Sequence, residues 1–250
     1  MASKRNSTKA ASAKAPEPKR HTCEREVRVP HWHRVEWGSV QHSTHSVRQW
    51  RDEVLAGGLR LPAFQRPYVW TDEQITRFWD SMLQGYHVGS LLVWEQYRLP
   101  ASVERFAGHP VECGPGSARV VVDGQQRLGA VVALLLSGRW YFDLECLAVT
   151  AEPGPWRMPG TLALATYSVV NDWSVAHGEQ YSVPRYDVRD AAIMLRDVLD
   201  RCYLGSVRLD GPRDWPLDRV MESYRRMASE GTPHDLAELE AALRRATAAP

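Results

Sequence analysis

Residues 120–136, VVVDGQQRLGAVVALLL, constrain the fold more than any other stretch of the chain. Three consecutive valines fit a buried strand and the apolar run Ala130–Leu136 fits a buried helix, so one must turn into the other within a few residues. Between them stand Asp123, Gly124, Gln125, Gln126 and Arg127, a concentration of hydrogen-bonding groups at the turn. A helix start presents unpaired backbone N–H groups and the positive end of its dipole, which together favour an anion. Gly124 lets backbone approach such an anion closely, Gln125 and Gln126 donate from their amides, and Arg127 offers a planar fork that matches phosphate. Asp123 repels phosphate unless a divalent cation lies between them, so a magnesium-bridged nucleotide is the coherent ligand. The same residues also fit a structural arrangement, with Asp123 as N-cap and Gln126 three residues later closing the helix start.

Two other segments pose similar choices. In FQRPYVW (64–70), Gln65 and Arg66 stand beside Tyr68 and Trp70 in an extended stretch punctuated by Pro62 and Pro67. That mixture can stack on and hydrogen-bond a planar base; alternatively, Phe64, Tyr68 and Trp70 are core contacts and the polar pair faces water. In YRRMASEGTPHD (224–235), Arg225 and Arg226 precede a corner between two helices, where they either reach a phosphate or simply complement a helix C-terminus. His31, His33, His42 and His45 cluster without cysteines or carboxylates at metal spacing, which fits a surface grouping.

Periodicity fills in the rest. Val47, Trp50, Val54 and Leu55 share one face of a first helix; Thr71 and Gln74 have capping-box spacing ahead of Ile75, Phe78, Trp79, Met82 and Leu83. Strands are expected over 88–97, 118–123, 140–145 and 161–170, mobile loops over 100–118 and 151–160, and helices over 186–205, 216–231 and 235–247. The sum is an α+β fold: a small mixed sheet with flanking helices and a helical C-terminal extension. Residues 1–25 read as a disordered basic tail, with seven Lys/Arg against two acids and almost no large apolar side chain. Because the whole chain holds 31 bases and 30 acids, the body is mildly acidic, and long-range attraction to nucleic acid has to come from the tail or a local groove. Four scattered cysteines fit reduced thiols, and no apolar run is long enough to span a bilayer, so a cytoplasmic protein without membrane association is expected. A Walker-type loop, a dinucleotide glycine fingerprint, a zinc-protease helix and a serine elbow are all absent from the sequence.

FQRPYVW, VVVDGQQRLGAVVALL and YRRMASEGTPHDLAELEAAL, in that order, resemble the three hallmark segments of the GmrS-type domain, the N-terminal part of GmrSD-like modification-dependent restriction proteins. The likeness covers roughly residues 42–245 and implies a ParB/sulfiredoxin-like fold, with 26–150 as the core carrying the DGQQR motif and 151–250 as a mixed, mainly helical extension of the same domain. It further implies a nucleotide-using domain that hydrolyses GTP or ATP with Mg²⁺ and works against phage DNA, modified or not, beside a separate nuclease or defence subunit. Carried onto this chain, Asp123, Gln126 and Arg127 would be catalytic, with Asp123 also the metal ligand. Gly124, Gln125, Gln65, Arg66, Tyr68, Trp70 and Arg226 would bind nucleotide or DNA. The chain departs from the family where an asparagine is usual and Ala228 stands, and where a threonine is frequent and Gly129 stands. The family's histidine-centred nuclease region has no counterpart before Pro250. A non-catalytic DNA-sensing or adaptor module is the rival reading, and a stand-alone nuclease the weakest, since one carboxylate near the turn is a thin basis for two-metal cleavage.

Overall fold

A computed structural model describes residues 39–62, 67–182, 185–211 and 215–228. The expected tail, Gln65 and Arg66, and the helix expected over 235–247 lie outside the described residues. The described part is α+β.

A five-stranded mixed sheet is its frame, ordered β1 (Val40–Ser46), β10 (Tyr203–Leu209), β3 (Ser90–Leu99), β6 (Gly116–Asp123) and β2 (Leu59–Arg60). The pairings alternate: β1 with β10 antiparallel, β10 with β3 parallel, β3 with β6 antiparallel, β6 with β2 parallel. One sheet face is covered by α1 (Val47–Leu55) and α3 (Gln125–Leu136), through Trp50, Val54, Leu91, Val93, Val121, Leu128 and Val132. The opposite face, with Leu92, Trp94, Val120 and Val122, packs with Val220 and Tyr224 of α6 (Leu217–Ala228). The alternation of burial along Val120–Val122 and Leu91–Trp94 therefore serves two cores, which is why both strands read as continuous apolar runs.

α3 is buried almost all round because it belongs to two cores at once. Its other side belongs to a core shared with α2 (Asp72–Leu83), α4 (Tyr167–Tyr181), α5 (Arg185–Leu199) and a small sheet of β7 (Tyr141–Asp143), β8 (Ala148–Thr150) and β9 (Arg157–Pro159). Buried tryptophans pin the layers: Trp79 Nε1 donates to Ala130 O at 3.1 Å, and Trp50 Nε1 to Leu204 O at 2.9 Å.

Several expectations need correction. The loop expected over 100–118 contains a hairpin of β4 (Ser102–Phe106) and β5 (His109–Cys113), in which Val103, Arg105, Pro110 and Glu112 alternate as the exposed positions. The strand expected over 161–170 is a 3-10 turn, Gly160–Leu162, followed by the start of α4; a short apolar run does not by itself distinguish strand from helix. The helix expected to continue to Gly205 stops at Leu199, and Tyr203–Leu209 becomes a sheet strand instead. Its buried positions include Ser206, and Gly205 interrupts its other face, so it lacks the apolar alternation that marks a strand. Leu55, expected on the buried face of α1, is 49% exposed because the helix ends there.

Candidate functional site

At the end of β6, Asp123 lies opposite Leu92, past a register shift between Leu92 and Val93. Gly124 then adopts φ +91°, a left-handed conformation in which a side chain is strained. An added Cβ would stand 2.4 Å from Leu91 Cδ2 and 3.0 Å from Arg127 Nη1, so glycine is required on two counts. The capping arrangement expected here is not formed. Gly124, not Asp123, is the N-cap residue, and no side chain caps α3. α1 and α2 differ, since Ser46 with Gln49 and Thr71 with Gln74 each make a complete capping box. α4 also begins without a side-chain cap, but its first turn is exposed to water, whereas Gly124 and Gln125 are buried.

Arg127 folds back over this turn. Its Nη1 donates to Ser90 O, its Nη2 lies 3.4 Å from Asp123 Oδ2, and its guanidinium packs against Gly89, 3.4 Å from where a Cβ there would stand. Both charged groups keep a quarter to a third of their side-chain surface, so water screens the pair and its net contribution to stability is small. Its significance is chemical: a carboxylate with Oδ1 uncommitted and a guanidinium with N–H groups to spare sit together beside an uncapped helix start.

Gln126 is spent differently. Its Oε1 accepts from Val69 N at 3.0 Å and Trp70 N at 3.2 Å, and its Nε2 donates to Pro67 O at 3.2 Å. One amide thus clasps the backbone of the 67–70 segment onto α3 and brings the first two hallmark segments together. Tyr68 and Trp70 pack against the core, with Trp70 5.6 Å from Phe78 between ring centroids, so for these two the core-contact alternative describes the geometry.

Tyr68 also accounts for Gly129. A Cβ on Gly129 would lie 2.3 Å from Tyr68 Cε2, so the ring occupies the place where a threonine side chain would stand. Burial, reinforced by Asp72, holds the Tyr68 hydroxyl neutral well above the usual tyrosine range. One turn before Gly129, on the same helix face, Gln125 is only 7% exposed. Gln125 Oε1 and Tyr68 Oη are both buried without a hydrogen-bond partner among the described residues, a costly state that a ligand or water would relieve.

A profile of the GmrSD restriction endonuclease N-terminal domain matches residues 47–239, spanning the clasp, the turn and α6. The chain belongs to this family. Membership points to a component of a restriction or defence system. No curated protein matches the chain.

In this GmrSD-type domain the described start of the third hallmark segment, residues 224–228, is placed apart from the described parts of the first two. Arg226 is exposed on α6, pairs with Glu222 at 2.8 Å, and belongs to the helix covering the sheet face opposite α3. The corner at 229–235 lies outside the described residues, as do His31 and His33. Among the described residues no helix is long and apolar enough to cross a membrane.

Sequence reasoning missed a polar groove of about 550 Å³ that shares Ser90 with the Arg127 clamp. Its residues come from β1, the end of α2, the start of β3 and the 201–206 segment, and share no local motif that could have announced it.

Proposed function

We propose that this chain is the nucleotide-binding, NTP-hydrolysing subunit of a cytoplasmic antiphage or restriction system, using GTP or ATP with Mg²⁺ and gating a nuclease carried on another chain. The observation that carries this reading is the uncapped start of α3 beside the Arg127–Asp123 pair, with the buried Gln125 acceptor unpartnered on the same helix. Backbone N–H groups there take phosphate oxygens, and Arg127 adds its fork to the charge that develops on the transferred phosphoryl group. Gln125 Oε1 accepts from a donor on the nucleotide, since an amide oxygen cannot serve phosphate.

The donor set fits magnesium held mainly by the nucleotide. Among the described residues no group of three or more His, Cys, Asp or Glu could hold a metal, and Asp123 offers one uncommitted oxygen. That is the usual share of a Mg²⁺ site completed by substrate phosphates, where the ion neutralises phosphate charge. Gln126 acts here as a positioning residue, because its bonds to Pro67, Val69 and Trp70 hold the 67–70 segment against the turn. That commitment favours the second reading, a non-catalytic DNA-sensing adaptor, over full catalysis by all three expected residues.

Phosphate release from GTP and ATP with Mg²⁺, with and without DNA, separates the two. Turnover in the wild type that is lost in Asp123→Ala supports the hydrolase; nucleotide binding without turnover supports the adaptor. Unchanged nucleotide affinity in a folded Arg127→Ala protein would remove the turn as the site altogether.

A further inference from the structure

The groove that shares Ser90 with the clamp has a chemistry of its own. It opens at the sheet end where β3 and β10 begin, and hydroxyls share its floor with the buried side chain of Met82. Ser43 and Ser206 Oγ atoms lie 2.9 Å apart, and a Cβ on Gly205 would stand 2.6 Å from Ser90 Oγ. Gly205 therefore keeps the floor open and leaves the Ser90 hydroxyl room beside it. The walls are tied together, since the Cys202 thiol donates to Met82 O at 3.5 Å and joins the end of α2 to the start of β10.

The rim carries His42, His87, Arg201, Tyr86 and Tyr203. None of these five side chains has a hydrogen bond or ion pair with a described residue, and no described lining residue is acidic. Tyr86 is 65% and Tyr203 55% exposed, so two aromatic faces stand in water beside uncompensated basic groups. Each feature alone is ordinary surface. Together they select a ligand: a bare anion would leave the tyrosines unused, and an apolar ligand would leave the arginine and histidines unused. A planar ring linked to phosphate uses both, with hydroxyls available to sugar and base edges. The volume lies within the usual range of small-molecule sites, about 300–1,000 Å³.

We propose that this groove is a second nucleotide-unit site, independent of the turn at Asp123, which binds a base and its phosphate either as a free mononucleotide or as part of a single strand.

The test uses the full chain, near-physiological salt, a fluorescent oligothymidylate and free thymidine monophosphate. Tyr203→Ala/Arg201→Ala and Tyr86→Ala/His87→Ala should each weaken binding at least tenfold while leaving thermal stability and phosphate release unchanged. Loss of both probes identifies a mononucleotide site, and loss of the oligonucleotide alone a strand site; either supports the groove. A photoreactive bromodeoxyuridine oligonucleotide should crosslink to the peptides carrying Tyr86 or Tyr203. Wild-type-like binding by both double variants, or crosslinks confined to residues 1–38, would overturn the proposal. A folded Arg127→Ala protein should still bind in the groove, so failure of the turn as a nucleotide site would leave this inference standing; loss of groove binding in that variant would refute independence.

Discussion

α2 and α3 begin in opposite ways within one small domain. At α2, Thr71 and Gln74 satisfy each other's backbone and close the helix start. At α3, Gly124 turns the chain in a left-handed conformation, no side chain caps the helix, and Gln126, expected to close a box with Asp123, instead reaches the 67–70 backbone. A closed start contributes stability from residues three positions apart and needs nothing else. An open, buried start leaves donors that the rest of the protein must satisfy or present to a ligand. The difference separates a helix that only builds the fold from one whose terminus is available for chemistry.

The largest effect on this contrast is expected from Gly124→Ala. Left-handed strain and the clash with Leu91 should together cost about 2–5 kcal/mol, read as a midpoint drop in denaturant unfolding. A neutral substitution would show that the turn is not built around glycine. Next comes ligand linkage: nucleotide at a hundredfold excess over its Kd should stabilise the wild type by about 2.7 kcal/mol, roughly 5–10 °C in Tm. In a Tyr203→Ala/Arg201→Ala background, which removes groove binding, the shift should vanish on adding Arg127→Ala and persist on adding Thr71→Ala; the reverse pattern would place the ligand at the wrong helix.

Gln126→Ala should cost about 1–3 kcal/mol and speed hydrogen exchange at the amides of Val69 and Trp70, which lose their acceptor. Slow exchange there in the variant would mean the clasp is incidental. The smallest effect belongs to the closed helix: Thr71→Ala should lose about 1 kcal/mol from its cap without changing phosphate release.

Legibility in the sequence followed the range of the interactions. The strand ending at Asp123, the helix from Gln125, and the box at Thr71 and Gln74 rest on neighbours within a few positions, and all were readable. β10 was not, because its role in the sheet comes from β1 and β3 rather than from an apolar pattern of its own. At the site, the residue types were legible but their assignments were not. Gln126 reads as ligand or cap; it is a clasp on backbone 56 to 59 positions away. Gly129 reads as the loss of a hydroxyl; in the fold it is the seat of the Tyr68 ring.

By itself the sequence determined that a polar turn with a glycine, an acid and an arginine joins a buried strand to a buried helix, since apolar periodicity and backbone sterics act locally. Tertiary structure alone decided that Arg127 rests on Ser90 and Asp123, that Gln125 and Tyr68 keep buried oxygens with no partner among the described residues, and that a groove opens across Ser90. Those outcomes depend on which distant backbone and side chains are brought within hydrogen-bond reach, and no local pattern specifies that.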